Sequence, residues 1–434
     1  MSQTMRGTLL FLLVAGLILA TGFLQSWNSA LLILNMGLIS AIMALGVNLQ
    51  WGFAGLFNVG IMGFVALGGL AVVLTSMPPV GAAWAAGGAR MLLALAVGAG
   101  AIVAAIFAWK SVTPGRKRAL VMTAVLVVGY IVYRQLFDPA RAAIEAVNPT
   151  LEGYLGGAGL PVVFSWPVGM ALAAGAAWLI GKTALGLRSD YLAIATLGIS
   201  EIIIAVMKNE DWLSRGVKNV NGLPRPMPYE VDLQNDPGFV EAATGYGLDP
   251  VTASTLYVKA GYSLYFTVVL ILLLVLAQLA LRSPWGRMMR AIRDNEVAAA
   301  AMGKNIKKRH LQIFVLGSAV CGLAGAMMTT LDGQLTPATY QPLRYTFLIW
   351  VMVIIGGSGN NFGAVLGGFL VWFLWVQVEP LGQVFLQVVT SPLTDGSPLK
   401  EHLLDGAAYM RLLTMGLLLL VVLRFSPRGL LPER

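Results

Sequence analysis

The sequence contains one cysteine and two histidines among its 434 residues, and only 11% of it is charged. A single cysteine, Cys321, excludes a disulfide framework within the chain, and so few Cys and His side chains exclude a Cys/His metal cluster. Because soluble proteins average about 25% charged residues, the low charge also excludes an ordinary globular enzyme and a disordered protein. The 57% hydrophobic content and the mean hydropathy of +0.77 indicate a membrane-embedded protein.

Long apolar segments recur along the whole chain. A helix crosses the hydrocarbon core with roughly 20 apolar residues and satisfies its backbone hydrogen bonds internally. We therefore predict an all-α integral membrane protein, a polytopic helical bundle that forms a single transmembrane domain over 1–434. The predicted segments are 8–24, 30–47, 55–74, 91–109, 119–137, 164–181, 191–207, 261–281, 311–331, 345–355, 362–378 and 407–423.

The basic residues lie in particular connections between these segments. The stretch 282–310 carries eight Lys and Arg against two acidic residues, and 110–118 carries four with no acid. Since cytoplasmic loops of membrane proteins are enriched in Lys and Arg, both stretches are predicted to be cytoplasmic. Twelve alternating crossings then put both termini in the cytoplasm and make 208–259, which is rich in Asp and Glu, an external loop.

Two predicted segments carry signs of a broken or re-entrant helix. Segment 345–355 is short and runs into the glycine-rich stretch 356–363, for which a tight turn between two spans is the expected structure. Segment 55–74 contains five glycines and follows the polar residues Asn48 and Gln50. Such irregular backbone is tolerated in a membrane only where it lines a cavity or is buried in protein.

The sequence offers no catalytic constellation. It contains no HExxH, GxSxG or GxxxxGK[ST] motif, so we predict no cofactor in this chain. The most informative segment is the cytoplasmic loop 283–310. Ser283 suits a helix N-cap, Pro284 the first helical position and Gly303 the residue after the helix end, which predicts a helix between them.

Charged residues along this predicted helix are spaced to form pairs, at four residues for Arg290 and Asp294 and at three for Arg293 and Glu296. Apolar residues give the helix a partly apolar face, which would allow it to dock into a groove on a partner. The alternative is a solvated basic loop that simply follows the charge rule.

At this loop the sequence resembles a known family. Residues 291–303 (AIRDNEVAAAAMG) are similar to the coupling loop of ABC importer permeases, in the form found in branched-chain amino acid permeases of the LivM/LivH type. In the general coupling motif the glycine follows the glutamate by six residues, whereas Gly303 follows Glu296 by seven, a spacing that fits the LivM/LivH form better. Further stretches resemble the same family, several of them its LivM side, namely 46–55, 187–198, 219–224, 314–319, 322–326 and 356–363.

The resemblance implies a transmembrane subunit of an ATP-driven importer in the bacterial inner membrane, which takes up branched-chain amino acids and is not itself an enzyme. The implied partners are a second LivH-type permease, two cytoplasmic ATPase subunits that would bind ATP and Mg, and a periplasmic solute-binding protein, besides membrane lipid; nucleic acid is not among them. The residues implied to couple the chain to the ATPases are Arg290, Arg293, Asp294, Glu296 and Gly303.

Two further regions carry expectations that follow from the resemblance. Segment 75–162 contains two apolar stretches that look like an inserted helical hairpin relative to shorter family members. Within the external loop, 209–228 is a candidate contact for the binding protein, with a solvated connector as the alternative.

Polar residues inside the spans are candidates for the translocation path, namely Asn48, Asn58, Thr196 and Glu201. Glu201 lies near the middle of 191–207, where an ionisable group is costly and normally faces the protein interior. The alternative for the asparagines, as for Asn35, is a hydrogen bond to a neighbouring helix, and Thr196 could bond back to its own helix.

Three alternatives to the amino-acid importer stay open at this point. A permease of the same family could carry urea or a short amide. A proton-coupled secondary transporter would use Glu201 as the titrating group, although a coupling loop would then have no purpose. A membrane enzyme that acts on a lipid intermediate is disfavoured, because no acid/base pair or nucleophile lies near a span end.

Overall fold

The structure is a computed structural model that describes residues 3–391, 393 and 397–433. The described backbone is mostly helical. The helices are α1 (Gln3–Leu24), α2 (Trp27–Ala54), α3 (Ile61–Ser76), α4 (Gly81–Ala83), α5 (Ala89–Ser111), α6 (Arg116–Glu145), α7 (Ser165–Ala184), α8 (Ser189–Asn209), α9 (Asp211–Ser214), α10 (Glu230–Asn235), α11 (Pro237–Gly245), α12 (Pro250–Arg282), α13 (Pro284–Asp294), α14 (Glu296–Ala301), α15 (Ile306–Asp332), α16 (Pro342–Gly356), α17 (Asn361–Thr390), α18 (Pro398–Asp405) and α19 (Met410–Phe425).

The predicted apolar segments coincide with the apolar helices of the structure. Within the described ranges, ten helices are long and apolar enough to cross a membrane, and α3 and α16 are shorter apolar helices at the two segments expected to be irregular. A π-helical turn over Trp84–Gly88 joins α4 to α5 in one of the ten. The predicted polytopic all-α architecture is therefore confirmed, although most helices extend beyond the predicted bounds.

The core of the bundle lies around α2, α15 and α17, whose apolar stretches are largely buried, whereas α1, α6 and α12 expose most of theirs. Backbones of α3 and α15 are in direct contact. A Cβ added at Gly68 would lie 1.8 Å from the carbonyl oxygen of Gly322, and one at Gly325 would lie 1.9 Å from that of Val65. Glycine is required at both positions because only backbone fits between the two helices.

The chain is broken between α2 and α3, as the cluster of glycines predicts. Gly55 ends α2 in the left-handed conformation (φ 68°), and residues 55–60 are not helical before α3 begins at Ile61. At the second irregular segment, α16 ends at Gly356 and a turn over 357–360 leads into α17, which confirms the turn expected for the glycine-rich stretch.

Helices α5 and α6 form an antiparallel pair at the periphery of the bundle. Their inner faces share a small hydrophobic cluster with parts of neighbouring connections, including Met91, Phe137, Ile144 and Trp212. The remaining surfaces of both helices are mostly exposed. This pair accounts for most of segment 75–162, whose origin as an insertion stays a prediction.

The connection between α8 and α12 spans 210–249 and is folded rather than extended. It contains α9, α10, α11 and the two-residue strand β1 (Val220–Asn221), which pairs antiparallel with β2 (Gln334–Leu335) after α15. At the opposite end of the bundle, residues near both termini and the segment after α12 line one common cavity, represented by Thr4, Arg290 and Glu433. Both described chain ends and the basic loop therefore lie together.

Candidate functional site

The break after α2 is held by buried polar side chains. Asn58 donates from Nδ2 to Oε1 of Gln50 at 2.9 Å and accepts at Oδ1 from the backbone N–H of Gly60 at 2.9 Å. The indole N–H of Trp350 donates to the carbonyl oxygen of Asn58 at 3.1 Å. Gln50 in turn donates to the carbonyl oxygen of Phe314 on α15 at 2.9 Å. Backbone groups that leave the helix at the break are thus paired with protein, as a buried break requires.

Thr196 on α8 takes part in the same arrangement. Its hydroxyl accepts the backbone N–H of Val59 at 3.1 Å and donates to the carbonyl oxygen of Ala193 in its own helix at 3.0 Å. The threonine therefore links α8 to the broken segment while it bonds back to its own helix. Of the four residues predicted for the path, Asn58 and Thr196 bond to adjacent residues of this break, whereas Asn48 bonds to the turn before α17.

Asn48 connects the end of α2 to the turn before α17. Its Oδ1 accepts the backbone N–H of Gly359 at 2.9 Å, and its Nδ2 donates to Oδ1 of Asn361 at 3.0 Å. Asn360 caps α17 by accepting the N–H of Phe362 at 3.0 Å. Like Asn35, which donates to the carbonyl oxygen of Lys259 at 2.9 Å, Asn48 uses its amide between helices.

Glu201 does not join this cluster. Its side chain is exposed on the surface of α8, so it does not face the interior of this chain as the sequence suggested. The reason is the helical period, which turns Ser200 and Ile204 inward and Glu201 outward. Gly198 lies on the same exposed side, and a Cβ added there would meet no atom within 4 Å.

The basic loop is folded as two short helices instead of the one predicted. Asn295 adopts extended backbone (φ −155°) between α13 and α14 and caps α14 by accepting the N–H of Ala298 at 2.9 Å. Ser283 stands at the N-cap position of α13, but its hydroxyl donates backward to the carbonyl oxygen of Ala280 at 2.6 Å. Gly303 is left-handed (φ 76°) shortly after α14, as expected for a residue beyond a helix end.

The charge pairs predicted within this loop do not form in the described structure. Because the helix is interrupted at Asn295, Arg293 is not aligned with Glu296 and instead contacts Asp294 at 3.1 Å. The predicted pair of Arg290 with Asp294 is likewise replaced, since Arg290 donates weakly to the carbonyl oxygen of Leu281 at 3.4 Å.

Arg293 anchors α13 to the bundle. Its guanidinium donates to the carbonyl oxygen of Gly52 near the end of α2 and contacts Oε2 of Glu433 at 2.8 Å. Burial on its own would lower the pKa of Arg293, but the bonds to Glu433 and Asp294 outweigh it and raise the pKa. The apolar face of α13, with Met289 and Ile292 fully buried, packs against the same end of the bundle.

The C-terminal segment supplies contacts that the sequence reasoning missed. Leu430 and Leu431 donate their backbone N–H groups to the last carbonyl oxygens of α16, at 2.8 and 2.9 Å. The segment passes so close to the turn that a Cβ at Gly357 (φ 121°) would lie 2.2 Å from the carbonyl oxygen of Leu431. In the sequence, Gly429 is the residue that could have indicated this close approach, because its backbone lies against that of Gly357.

In contrast to α13, the second helix of the loop projects from the bundle. Val297 is 80% exposed and Met302 is 79% exposed, with the carboxylate of Glu296 beside them. Only Ala299 of α14 is buried. The loop thus combines an anchored helix with an exposed apolar tip. Within the residues described, no group of three His, Cys, Asp or Glu side chains is placed to hold a metal ion.

The chain matches a known protein family over most of its length. A family model described as "Branched-chain amino acid transport system / permease component" matches the chain over residues 29–142 and 140–423. The chain belongs to this permease family. Its long apolar helices together with this membership make it a multi-pass protein of the inner membrane. No solved structure matches the chain.

Several curated proteins are similar to this permease over part of their length. The chain is 26% identical over 273 residues to the "High-affinity branched-chain amino acid transport system permease protein LivM" of Escherichia coli (strain K12), covering 61% of the chain and 56% of that protein. It is 29% identical over 154 residues to the "Probable branched-chain amino acid transport permease protein LivM" of Methanocaldococcus jannaschii, covering 36% of the chain and 41% of that protein. It is also 30% identical over 112 residues to the "Fructose import permease protein FrcC" of Rhizobium meliloti, covering 25% of the chain and 31% of that protein. The chain therefore spans little more than half the length of the LivM protein of Escherichia coli.

Proposed function

We propose that this chain is the LivM-type permease subunit of an ABC importer that takes up branched-chain amino acids delivered by a periplasmic binding protein. The observation that carries the proposal is the exposed apolar tip of α14 on a loop anchored by Arg293. A helix that projects only small and apolar side chains around one carboxylate suits a groove on another protein better than it suits water. We propose two cytoplasmic ATPase subunits as the partners at this surface, with ATP and Mg held there and not by this chain.

The anchoring of α13 supports a mechanical role for the loop. The guanidinium of Arg293 would pass a force applied to α14 on to Gly52 at the end of α2 and to Glu433 in the C-terminal segment. Closure of the ATPases would bind one arrangement of the spans more tightly than the other and so shift the population between them. Of the residues implied by the resemblance, Glu296 would contact the partner, Arg293 and Asp294 would hold the loop, and Gly303 would end the helix.

The test is the recovery of ATPase subunits with the tagged chain after mild detergent extraction. Val297→Asp puts a charge into the proposed contact and should reduce the recovered ATPase at least tenfold, since burying an unpaired carboxylate costs more than about 1.4 kcal/mol. Val231→Asp, an exposed valine on the connection between α8 and α12, is the matched control and should leave recovery unchanged. Equal recovery from both variants would contradict the proposal.

The proposed orientation places α13, α14 and both termini in the cytoplasm and the connection 210–249 outside. The eight basic residues of 282–310 support it, because a cluster of that size is retained on the cytoplasmic side. The outer connection exposes Tyr229, Val231 and Tyr246, and we propose this surface, extending the predicted 209–228, as the contact for the binding protein. Labelling of a cysteine at Tyr246 from outside intact cells, and not of one at Met302, would support this orientation.

We propose that Glu201, and not the asparagine cluster, faces the path or the second permease subunit. Its carboxylate is exposed near the middle of a membrane-spanning helix, where contact with lipid would cost at least about 2.5 kcal/mol. Gly198 and Ala205 beside it would let another helix approach closely. Asn48, Asn58 and Thr196 are already bonded to protein groups and would stabilise the broken helix.

The same exposed carboxylate favours one second candidate, a proton-coupled carrier. Reconstituted vesicles separate the two, because an importer requires the ATPases and binding protein while a carrier responds to a pH gradient alone. Glu201→Gln should abolish gradient-driven uptake if the chain is a carrier, and ATP-driven uptake of Leu, Ile or Val by the wild-type complex would refute that candidate. Parallel assays with urea would distinguish the amide permease alternative.

A further inference from the structure

A cavity of about 950 Å³ opens at the end of the bundle where the two described chain ends and the segment after α12 meet. Its walls are apolar and come from α1, α12 and α17, with Phe11, Leu12, Ala15, Leu274, Leu281 and Val365 among the lining residues. The lining residues of α1 extend from Thr4 to Ala15, a depth of roughly 16 Å at the helical rise per residue. One leaflet of a bilayer is about 15 Å of hydrocarbon, half of the ~30 Å core.

The mouth of this cavity is cationic. Arg282 and Arg290 line it, and among the described residues neither has a carboxylate at ion-pair distance. A second, polar basin of about 790 Å³ adjoins it and shares Arg290 and Glu433 with it. That basin also contains Arg287 and Arg428, whereas its two carboxylates, Asp294 and Glu433, are both bonded to Arg293. Cations therefore remain uncompensated where the apolar walls end.

A buried donor also lacks a partner at this cavity. Asn361 lines it and is 1% exposed, and its Nδ2 has no hydrogen-bond partner in the described structure. The orientation of this amide is fixed by its neighbours. Gly359 N–H requires Oδ1 of Asn48, which directs Nδ2 of Asn48 to Oδ1 of Asn361 and leaves the Asn361 amide nitrogen free. A buried amide of this kind costs stability unless something accepts its hydrogen bond.

We propose that this cavity is a binding site for one anionic glycerophospholipid. Its acyl chains occupy the apolar part between α1, α12 and α17, its phosphate lies between Arg282 and Arg290, and a polar oxygen of the lipid accepts from Asn361. A soluble anion would satisfy the cations but leave the apolar walls open to water, and a neutral lipid would leave the cations unpaired. The site is distinct from the proposed ATPase contact on α14 and does not depend on it.

Native mass spectrometry measures the lipid that the chain retains. The chain is released from nanodiscs that contain equal amounts of dioleoylphosphatidylglycerol and dioleoylphosphatidylcholine. The wild-type chain should retain one phosphatidylglycerol in preference to phosphatidylcholine. Each cation near a membrane surface contributes about fivefold to anionic-lipid binding, so Arg282→Gln/Arg290→Gln should weaken retention about 25-fold. Lys304→Gln/Lys308→Gln removes two exposed cations from the same loop outside the cavity and should change retention less than twofold.

A second pair of variants tests the apolar part of the site. Ala15→Trp fills the cavity and should reduce retention of phosphatidylglycerol as strongly as Arg282→Gln/Arg290→Gln does. Leu13→Trp, on the same helix but outside the lining, should leave retention unchanged. Displacement of the bound species by inorganic phosphate, equal retention of phosphatidylcholine, or unchanged retention in Ala15→Trp would each overturn the proposal. All variants are first checked for monodisperse elution, so that the retained fraction refers to folded protein.

Discussion

Arg293 is the residue whose removal has the most direct structural consequence, because it joins α13 both to the end of α2 and to the C-terminal segment. Its bond to the carbonyl oxygen of Gly52 is worth about 1–1.5 kcal/mol. The pair with Glu433, at 2.8 Å with side chains 24% and 28% exposed, is worth about 1.5 kcal/mol after solvent screening. The contact with the mostly exposed Asp294 adds little. Arg293→Ala should therefore lower the free energy of local opening of α13 by about 3 kcal/mol.

Hydrogen exchange in nanodiscs, followed by mass spectrometry on peptides from 284–294, measures that opening. A change of 3 kcal/mol corresponds to a loss of protection of about 140-fold. Glu433→Ala should cost about tenfold, and the double variant should behave like Arg293→Ala, which gives a coupling energy of about 1.5 kcal/mol. Arg287→Ala, which removes an exposed arginine of the same helix, is the control and should stay within about 0.5 kcal/mol. Additive single effects would refute the role assigned to the ion pair.

The remaining predictions concern the turn before α17. Asn48→Leu leaves two buried hydrogen-bonding groups without a partner and should destabilise the protein by about 2–4 kcal/mol, seen as a lower thermal midpoint in detergent, whereas Asn209→Leu, an exposed asparagine, should be nearly neutral. Gly357→Ala should release the C-terminal segment to proteolysis, because the new Cβ would lie 2.2 Å from the carbonyl oxygen of Leu431 and the backbone is left-handed at φ 121°. Gly416→Ala, where a Cβ meets no atom within 4 Å, should have no such effect, and equal cleavage of both variants would contradict the argument.

Much of the fold could be predicted because hydrophobicity and glycine placement are local signals. The apolar runs predict the membrane helices, and the glycines after Gln50 predict the break between α2 and α3. The turn at 356–363 was predictable for the same reason, since left-handed and close-packed backbone needs glycine.

The candidate site was less predictable because its contacts are distant in sequence. No local pattern relates Arg293 to Glu433, or Asn48 to Gly359. Helical spacing predicts Glu296 as the partner of Arg293, because it considers only residues three or four positions apart. The helix breaks at Asn295 because this asparagine caps the next helix. The alanine-rich sequence that follows favours helix throughout, so the break is not evident from the sequence. The energetic cost of an ionisable group in a membrane predicts an inward Glu201, but that cost arises only from contact with lipid and does not specify which protein surface the side chain faces.

The contact between Arg293 and Glu433 also sets an order of events during synthesis. Roughly 140 residues separate the two, and at about 5–20 residues per second the ribosome needs about 7 to 28 seconds to make them. During that interval the guanidinium has Gly52 and Asp294 to bind but not the distal carboxylate. A partner that recognises the loop in its anchored form would therefore bind chains that already include Glu433 in preference to shorter nascent ones.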